Sequence, residues 1–239
     1  MNLRKTATNW VSIVVDKTLV RLTRHIYYKV APPKTVLQVL SERASTSAAD
    51  YVESHMPRAM GFSGKQQLME FALSKVALKG MLAEFGVFQG ESINHIAGRL
   101  KDGATIFGFD SFEGLKEDWS GYDLTKGTFS LGGQLPPVRV NVELITGWFD
   151  ETLPRFLTQH PGNFAFIHVD CDTYEATRTL FKAAGERVAP GTVIVFDEYF
   201  GYPGWRVGEW KAWQEFVAER GVRYEYIGFS VNQVAVRIL

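Results

Sequence analysis

The sequence contains a single cysteine, no excess charge of either sign and no long apolar run. Cys171 alone can form neither an internal disulfide nor a cysteine-based zinc site, which fits a reducing cytoplasm. Lysine plus arginine and aspartate plus glutamate number 26 each, so no net charge draws the chain to nucleic acid or to an anionic membrane. We therefore expect a cytoplasmic protein that binds no nucleic acid.

Near the N-terminus, the apolar run Trp10–Val15 is interrupted by Asp16 and Lys17, well short of the about 20 apolar residues that span a bilayer. Basic residues after it also argue against a signal peptide. The first thirty residues predict an amphipathic helix that packs on the domain or on a second subunit, with weak membrane-surface contact as the alternative. We expect no stable membrane insertion and leave open a homo-oligomer formed through these N-terminal helices.

From residue 80 onward, short apolar strands alternate with helices, as in a parallel sheet covered on both faces. The predicted strands are 80–87, 105–109, 142–146, 164–169 and 192–196, followed by a hairpin of 224–229 and 234–239. The predicted helices are 66–78, capped by Ser63, and 92–100, 151–159 and 175–188. The expected fold is a Rossmann-like, doubly wound α/β domain with a C-terminal antiparallel hairpin in residues 61–239, after an N-terminal helical extension in residues 1–60.

The first strand of this domain runs into a turn that contains two glycines. Glu84 is followed by Gly86 and Gly90, and Ser92 opens the next helix. The G-x-G-x-x-G pattern of a dinucleotide loop is absent. Glycines let a ligand approach the backbone closely, and the Glu84 carboxylate suits the cationic amino-acid end of a ligand. A tight turn without any ligand explains the glycines equally well.

Asp110 and Ser111 follow the second strand, about 20 positions beyond the glycine turn. An acidic residue at this position holds ribose hydroxyls in nucleotide-binding folds. Trp148, directly after the third strand, is placed to flank an adenine ring. These residues predict a nucleoside ligand, while the alternative for Asp110 is a helix N-cap.

Carboxylates follow the fourth and fifth strands, where neighbouring strands bring them together. Asp170 and Asp172 follow the fourth strand, and Asp197 and Glu198 follow the fifth. Mg²⁺ prefers such oxygen ligands, and the carboxylates repel one another without a cation. We predict a metal site at Asp170, Asp197 and Glu198; caps or solvent-facing acids are the alternative. His168, inside an apolar strand, is expected to be a hydrogen-bonded core residue rather than a base.

Five segments resemble macrocin-type O-methyltransferases, a family of class I S-adenosylmethionine-dependent enzymes, in order and spacing. They are 84–92, 109–115, 147–154, 168–174 and 195–199. The resemblance extends over residues 60–239 and implies the Rossmann-like fold of class I methyltransferases. It also implies Mg²⁺-dependent transfer of a methyl group from S-adenosylmethionine to a sugar hydroxyl of a natural product. Two aspartates follow the fifth strand in relatives with defined sugar substrates, whereas this chain has Asp197-Glu198.

Carried over by residue, the resemblance implies a cofactor site, a metal site and an acceptor site. The resemblance places Glu84, Gly86, Gly90 and Asp110 around the cofactor, and we add Ser92, Ser111, Trp148 and Asp170 to the predicted cofactor site. The metal ligands are Asp170, Asp197 and Glu198, and Asp172 lies beside a small-molecule acceptor. Mg²⁺ is expected to stabilise the acceptor alkoxide while Asp172, assisted by Asp170, takes the proton. A metal-free methyltransferase or nucleoside-binding protein, a metal-dependent hydrolase and a non-catalytic subunit remain alternatives.

Overall fold

A computed structural model describes residues 15–25, 29, 33–101, 103–119 and 121–239. The chain divides into two units, residues 1–39 and 40–239. In the first unit, residues 15–25 are helical, whereas Trp10, Ile13 and Val14 of the predicted amphipathic helix lie outside the described residues. Within the described part of the chain, no helix has both the length and the apolar character needed to cross a membrane.

Helix α1 (Val36–His55) begins at a capping box. Thr35 Oγ1 accepts the Gln38 N–H at 3.2 Å, and Gln38 Oε1 accepts the Thr35 N–H at 2.8 Å. This exchange satisfies two N–H groups that a helix start otherwise leaves unpaired. Further along α1, Ala44, Ala48 and Tyr51 recur at helical spacing and are buried in the core. That part of the predicted helical extension therefore packs with the residues of the sheet domain.

Eight strands form one sheet in the order β1-β7-β8-β6-β5-β2-β3-β4. They are β1 (Met60–Gly61), β2 (Met81–Phe85), β3 (Ile106–Asp110), β4 (Val142–Thr146), β5 (Phe164–Val169), β6 (Val188–Phe196), β7 (Tyr224–Phe229) and β8 (Val234–Ile238). Strands β6, β5, β2, β3 and β4 are parallel, and β8 runs antiparallel to both β6 and β7. The predicted doubly wound sheet with a C-terminal antiparallel hairpin is confirmed.

Helices cover the sheet between its strands. They are α2 (Lys65–Ser74), α3 (Glu91–Ala97), α4 (Phe149–Gln159), α5 (Tyr174–Ala184) and α6 (Glu209–Arg220). The predicted Ser63 cap is wrong, because Gly64 is the N-cap of α2 and Ser63 Oγ instead donates to Gln67 Oε1 at 2.8 Å. Helix α6 and the two-residue strand β1 were not predicted from the sequence.

Apolar side chains fill both faces of the sheet in two clusters. In one cluster, Phe85 of β2 stacks on Phe109 of β3 with ring centroids 4.8 Å apart. In the other, Ile93 and Ile96 of α3 are fully buried. Every residue of β5 is buried, as expected of a central parallel strand. The polar residues that follow these strands therefore collect at one edge, where their carboxyl ends meet.

Candidate active site

A cavity of about 620 Å³ lies at this edge of the sheet, within the size range of small-molecule sites. Its lining includes several residues predicted from sequence: Gly86, Ser92, Asp110, Ser111, Trp148, Asp170 and Asp172. Helix α2 also lines the cavity, through Lys65, Gln66 and Met69. The structure thus brings most of the predicted cofactor residues and two of the predicted acids to one cavity. Four other predicted site residues are not part of its lining: Glu84, Gly90, Asp197 and Glu198.

The turn between β2 and α3 packs backbone directly against backbone. Gly86 has φ +93°, and a Cβ there would lie 1.7 Å from the carbonyl oxygen of Asp170. Gly90, with φ +82°, is the N-cap of α3. Phe88 between them also has a positive φ of 46°, a conformation that costs a non-glycine residue free energy. Close packing and ligand approach therefore both depend on this turn.

Asp110 holds the glycine turn in place. Its Oδ2 accepts the N–H groups of Val87 and Phe88, both at 2.8 Å, and its Oδ1 accepts the N–H of Phe112 at 2.7 Å. No helix follows it in the described residues 111–119 and 121–141, so the alternative N-cap role is wrong. A carboxylate has about four acceptor positions, which leaves one for a ribose hydroxyl.

Glu84 is fully buried, and both of its carboxylate oxygens are already bound. Oε1 accepts from Ser92 Oγ at 3.1 Å, and Oε2 accepts from His168 Nδ1 at 2.8 Å. Glu84 and His168 are direct neighbours in the pairing of β2 with β5. Glu84 therefore contacts the cavity through Ser92, which lines it.

His168 lies inside β5 with no exposed side-chain area, as the sequence predicts. Its Nε2 lies 3.5 Å from Asp197 Oδ1 and 4.0 Å from Asp170 Oδ2. Burial alone would lower the pKa of His168, but its contacts with Asp197 and Glu84 and the charge of Asp170 raise the pKa to about 10. In the metal-free protein this raised pKa favours the imidazolium form of His168 over a neutral base.

Lys65, the first residue of α2, was missed by the sequence analysis. Its Nζ donates to Asp197 Oδ2 at 3.1 Å and lies 3.9 Å from Asp170 Oδ2. Although burial lowers the pKa of Lys65, the charges of Asp170 and Asp197 raise it above its ordinary value. The sequence offered one local indication that Lys65 has an acidic partner. It is a cation at the start of a helix, where the helix dipole favours acidic residues.

The carboxylates after β5 and β6 converge, as the strand order predicts. Two overlapping sets bring their ligand atoms within 4.8 Å of one another: His168, Asp170 and Asp197 in one, and Asp170, Asp172 and Glu198 in the other. The three predicted metal ligands are therefore divided between the two sets. Asp172, with φ +67°, is held in a conformation that is common at functional sites and uncommon elsewhere.

The charges in these two sets differ. Burial and the charge of Asp197 raise the pKa of Asp170 to about 7, and burial and the charge of Asp170 raise the pKa of Asp172 well above its ordinary value. Burial and the charge of Asp197 do the same to the pKa of Glu198. The pKa of Asp197 is lowered, because His168 and Lys65 outweigh its burial. The cationic groups of Lys65 and His168 thus lie closest to Asp197, at 3.1 and 3.5 Å, and farther from Asp170, at 3.9 and 4.0 Å.

Glu209, at the start of α6, is a further buried carboxyl that the sequence analysis missed. Its Oε2 accepts the N–H of Glu198 at 3.2 Å. Its Oε1, Glu198 Oε2 and Tyr202 Oη find no hydrogen-bond partner in the described part of the chain. Burial raises the pKa of Glu209 well above its ordinary value. Unpaired polar atoms of this kind indicate water or a ligand beside the acids.

We expect the metal-free protein to become less stable as the pH rises from about 6 to about 10. Because the pKa of His168 is raised in the folded state to about 10, its stabilising contribution is full below the unfolded-state pKa of about 6.5 and is lost as the pH rises through about 10. The raised pKa of Asp170, about 7, acts in the same direction up to about pH 7, because its ionisation is harder in the folded state. Thermal unfolding in EDTA across this range tests the expectation, and a Tm that rises with pH would contradict it.

Part of the chain matches a known protein family. Residues 83–199 match the methyltransferase domain. The 8-demethyl-8-(2,3-dimethoxy-alpha-L-rhamnosyl)-tetracenomycin-C 4'-O-methyltransferase of Streptomyces olivaceus is 32% identical to this chain, over 50% of this chain and 53% of that protein. The chain thus spans about half the length of this curated relative.

Solved structures share the fold. The calicheamicin methyltransferase CalS11 superposes with a TM-score of 0.60 at 19% identity, covering 86% of this chain and 94% of that chain. The O-methyltransferase NovP gives a TM-score of 0.54 at 21% identity, covering 72% and 78%. At these identities the likeness concerns the fold, and it confirms the Rossmann-like architecture predicted from the sequence.

Proposed function

We propose a specific activity from the match of residues 83–199 to the methyltransferase domain, the class of enzyme that the motifs predict. The protein transfers a methyl group from S-adenosylmethionine to a hydroxyl of a sugar or natural-product acceptor, with assistance from a divalent metal ion. One observation carries the proposal: a single cavity of about 620 Å³ is lined both by the glycine turn with Asp110 and by the acids Asp170 and Asp172. The Streptomyces relative, named for methylation of a rhamnosylated tetracenomycin, supports the acceptor class.

The cofactor is placed along the carboxyl ends of β2, β3 and β4. Asp110 receives the ribose hydroxyl with its remaining acceptor position, and Ser111 lies next to it in the cavity lining. Trp148 flanks the adenine ring; Lys116 Nζ lies over the Trp148 ring, 5.0 Å from its centroid. The amino-acid end of the cofactor lies by Gly86 and Ser92. This pose directs the methyl group towards the acids after β5.

Methyl transfer is a direct displacement at the methyl carbon. The acceptor oxygen forms a bond to carbon as the carbon–sulfur bond breaks, S-adenosylhomocysteine leaves, and the hydroxyl proton passes to a base. Asp172 lines the cavity and is the base we assign. Its raised pKa makes its ionised form a stronger proton acceptor than an ordinary aspartate. Asp170, the neighbouring acid, orients the acceptor.

The donor set fits a hard divalent cation. Asp170, Asp172 and Glu198 offer carboxylate oxygens within 4.8 Å of one another, and Mg²⁺ prefers oxygen ligands. Glu198 Oε2 is buried and unpaired within the described residues, and Asp197 adjoins the set through Asp170. We place the ion at Asp170 and Glu198, with Asp172 and Asp197 as neighbouring acids; when bound, it would supply Lewis-acid stabilisation of the acceptor oxygen.

A metal-free methyltransferase is the second candidate, and Lys65 is the observation that favours it. Its ammonium group already neutralises Asp197 at 3.1 Å, so part of the repulsion among the acids is relieved without a metal. Turnover in excess EDTA separates the candidates, since only the metal-free enzyme keeps full activity there.

We expect Asp110→Asn to weaken binding of S-adenosylhomocysteine by about 1.5–3 kcal/mol, the scale of lost hydrogen bonds to a charged group. The asparagine side chain also carries an NH₂ group. This donor would face backbone N–H groups whose hydrogen bonds the Asp110 carboxylate now accepts. Isothermal titration calorimetry measures the change. Asp150→Asn is the matched control, because Asp150 lines the same cavity but is exposed and pairs with Lys116. Equal affinity for the two variants would remove Asp110 from the cofactor site.

A further inference from the structure

Lys65 carries a positive charge into the carboxylate cluster from outside residues 83–199, the part that matches the methyltransferase domain. Its side chain is 41% exposed, and its Nζ contacts Asp197 Oδ2 at 3.1 Å and Asp170 Oδ2 at 3.9 Å. The next turn of the same helix places Met69 in the cavity lining. Lys65 therefore reaches the acids from the cavity side, where a metal ion or an acceptor would also enter.

The position of Lys65 is not explained by the stability of its own helix. Lys65 is the first residue of α2, and the first turn of α2 contains no acidic residue. The N-cap, Gly64, provides no side-chain hydrogen bond. A cation at a helix N-terminus is opposed by the helix dipole, so the ion pair with Asp197 is the favourable contact at this position.

Lys65 and His168 both place a cationic group beside Asp197, which belongs to only one of the two carboxylate sets. Both lie beside Asp197, at 3.1 Å for Lys65 Nζ and 3.5 Å for His168 Nε2. Asp172 and Glu198, in the other set, have no ion pair within 4.0 Å in the described part of the chain. Asp197 is thus already neutralised by the chain itself, whereas Asp172 and Glu198 still lack a counter-charge.

We propose that Lys65 is a built-in counter-ion of Asp197 that competes with a divalent ion for the acids and thereby sets the affinity of the site for metal. The inference rests on the metal-assisted function proposed above. An ion that contacts Asp197 has to share or displace the Lys65 ammonium, and an ion held by the neighbouring acids is repelled by it at close range. Lys65 acts through these acids and is a positioning residue.

The test is binding of Mn²⁺ to the full chain, measured by calorimetry and by the electron paramagnetic resonance signal of the free ion. We expect Lys65→Met, which keeps the apolar stem, to bind Mn²⁺ about tenfold more tightly than the wild type, because one repelling charge is removed. Lys65→Arg keeps the charge and should bind like the wild type. Lys79→Met, at an exposed lysine, controls for a change in net charge, and Lys65→Gln repeats the test in case Lys65→Met does not fold.

Binding of S-adenosylhomocysteine is measured on the same samples and should stay within about threefold of the wild type, since Lys65 contacts the acids rather than the cofactor turn. Equal or weaker Mn²⁺ binding by both neutral variants, with the cofactor product still bound, would overturn the role of Lys65 and leave the proposed function standing. If no variant and no wild-type protein bound Mn²⁺, this inference and the metal-assisted mechanism would both fall. Loss of cofactor-product binding by the wild type itself would instead refute the proposed methyltransferase.

Discussion

Gly86→Ala is expected to destabilise the domain by about 3 kcal/mol or more and to abolish binding of S-adenosylhomocysteine. The added Cβ would lie 1.7 Å from the carbonyl oxygen of Asp170 and 2.7 Å from its carbonyl carbon. These are backbone atoms held by the pairing of β2 with β5, so no side-chain rotation relieves the clash. Urea denaturation gives the loss of stability, and calorimetry gives the loss of binding.

Gly127→Ala is the matched control for this prediction. Gly127 has φ +84°, close to the φ of +93° at Gly86, but no described heavy atom lies within 4 Å of its Cβ position. It therefore carries a similar cost of a left-handed backbone, about 1–2 kcal/mol, without the collision. Equal destabilisation by the two substitutions would show that backbone strain, and not the contact with Asp170, is what requires glycine at residue 86.

Strands β2, β3, β5 and β6 could be predicted from the sequence because most of their residues are buried. Such strands consist of short apolar runs, and β5 (Phe164–Val169) is buried at every position. The acids that follow β5 and β6 could be placed together for the same reason, since adjacent parallel strands end at one edge. Strand β1 could not, because two residues that pair only with β7 leave no periodic pattern.

The partners of the site residues could not be predicted from local patterns. Lys65 and Asp197 lie 132 positions apart, and only the packing of α2 against the sheet brings them together. Glu84 was assigned to the ammonium end of a ligand because it begins the glycine turn, but the β2–β5 register sets it beside His168. A carboxylate and an imidazole in two adjacent buried strands were the available signal for that pair, since a buried charge needs a partner.

The second large effect is expected at Asp172, the proposed proton acceptor. Asp172→Asn should lower kcat by about 100-fold or more, the contribution of a positioned general base, while the affinity for S-adenosylhomocysteine stays unchanged. The amide keeps the size of the side chain but cannot take the hydroxyl proton. Because burial and the charge of Asp170 raise the pKa of Asp172, kcat of the wild type should increase with pH as this carboxyl ionises, and the variant should lose that increase. Turnover is measured with the first glycosylated natural product that supports methyl transfer.

Glu175→Gln is the control for Asp172→Asn, since Glu175 lines the same cavity but lies in the first turn of α5 with 55% of its side chain exposed. Removing its charge changes the field in the cavity without removing a base, and kcat should stay within about threefold, as for most exposed ion pairs. A comparable loss of kcat in the two variants would mean that the negative charge of the cavity, rather than proton transfer to Asp172, supports the reaction. A loss confined to KM in Asp172→Asn would place Asp172 in acceptor binding instead, because an interaction that acts only in the transition state lowers kcat.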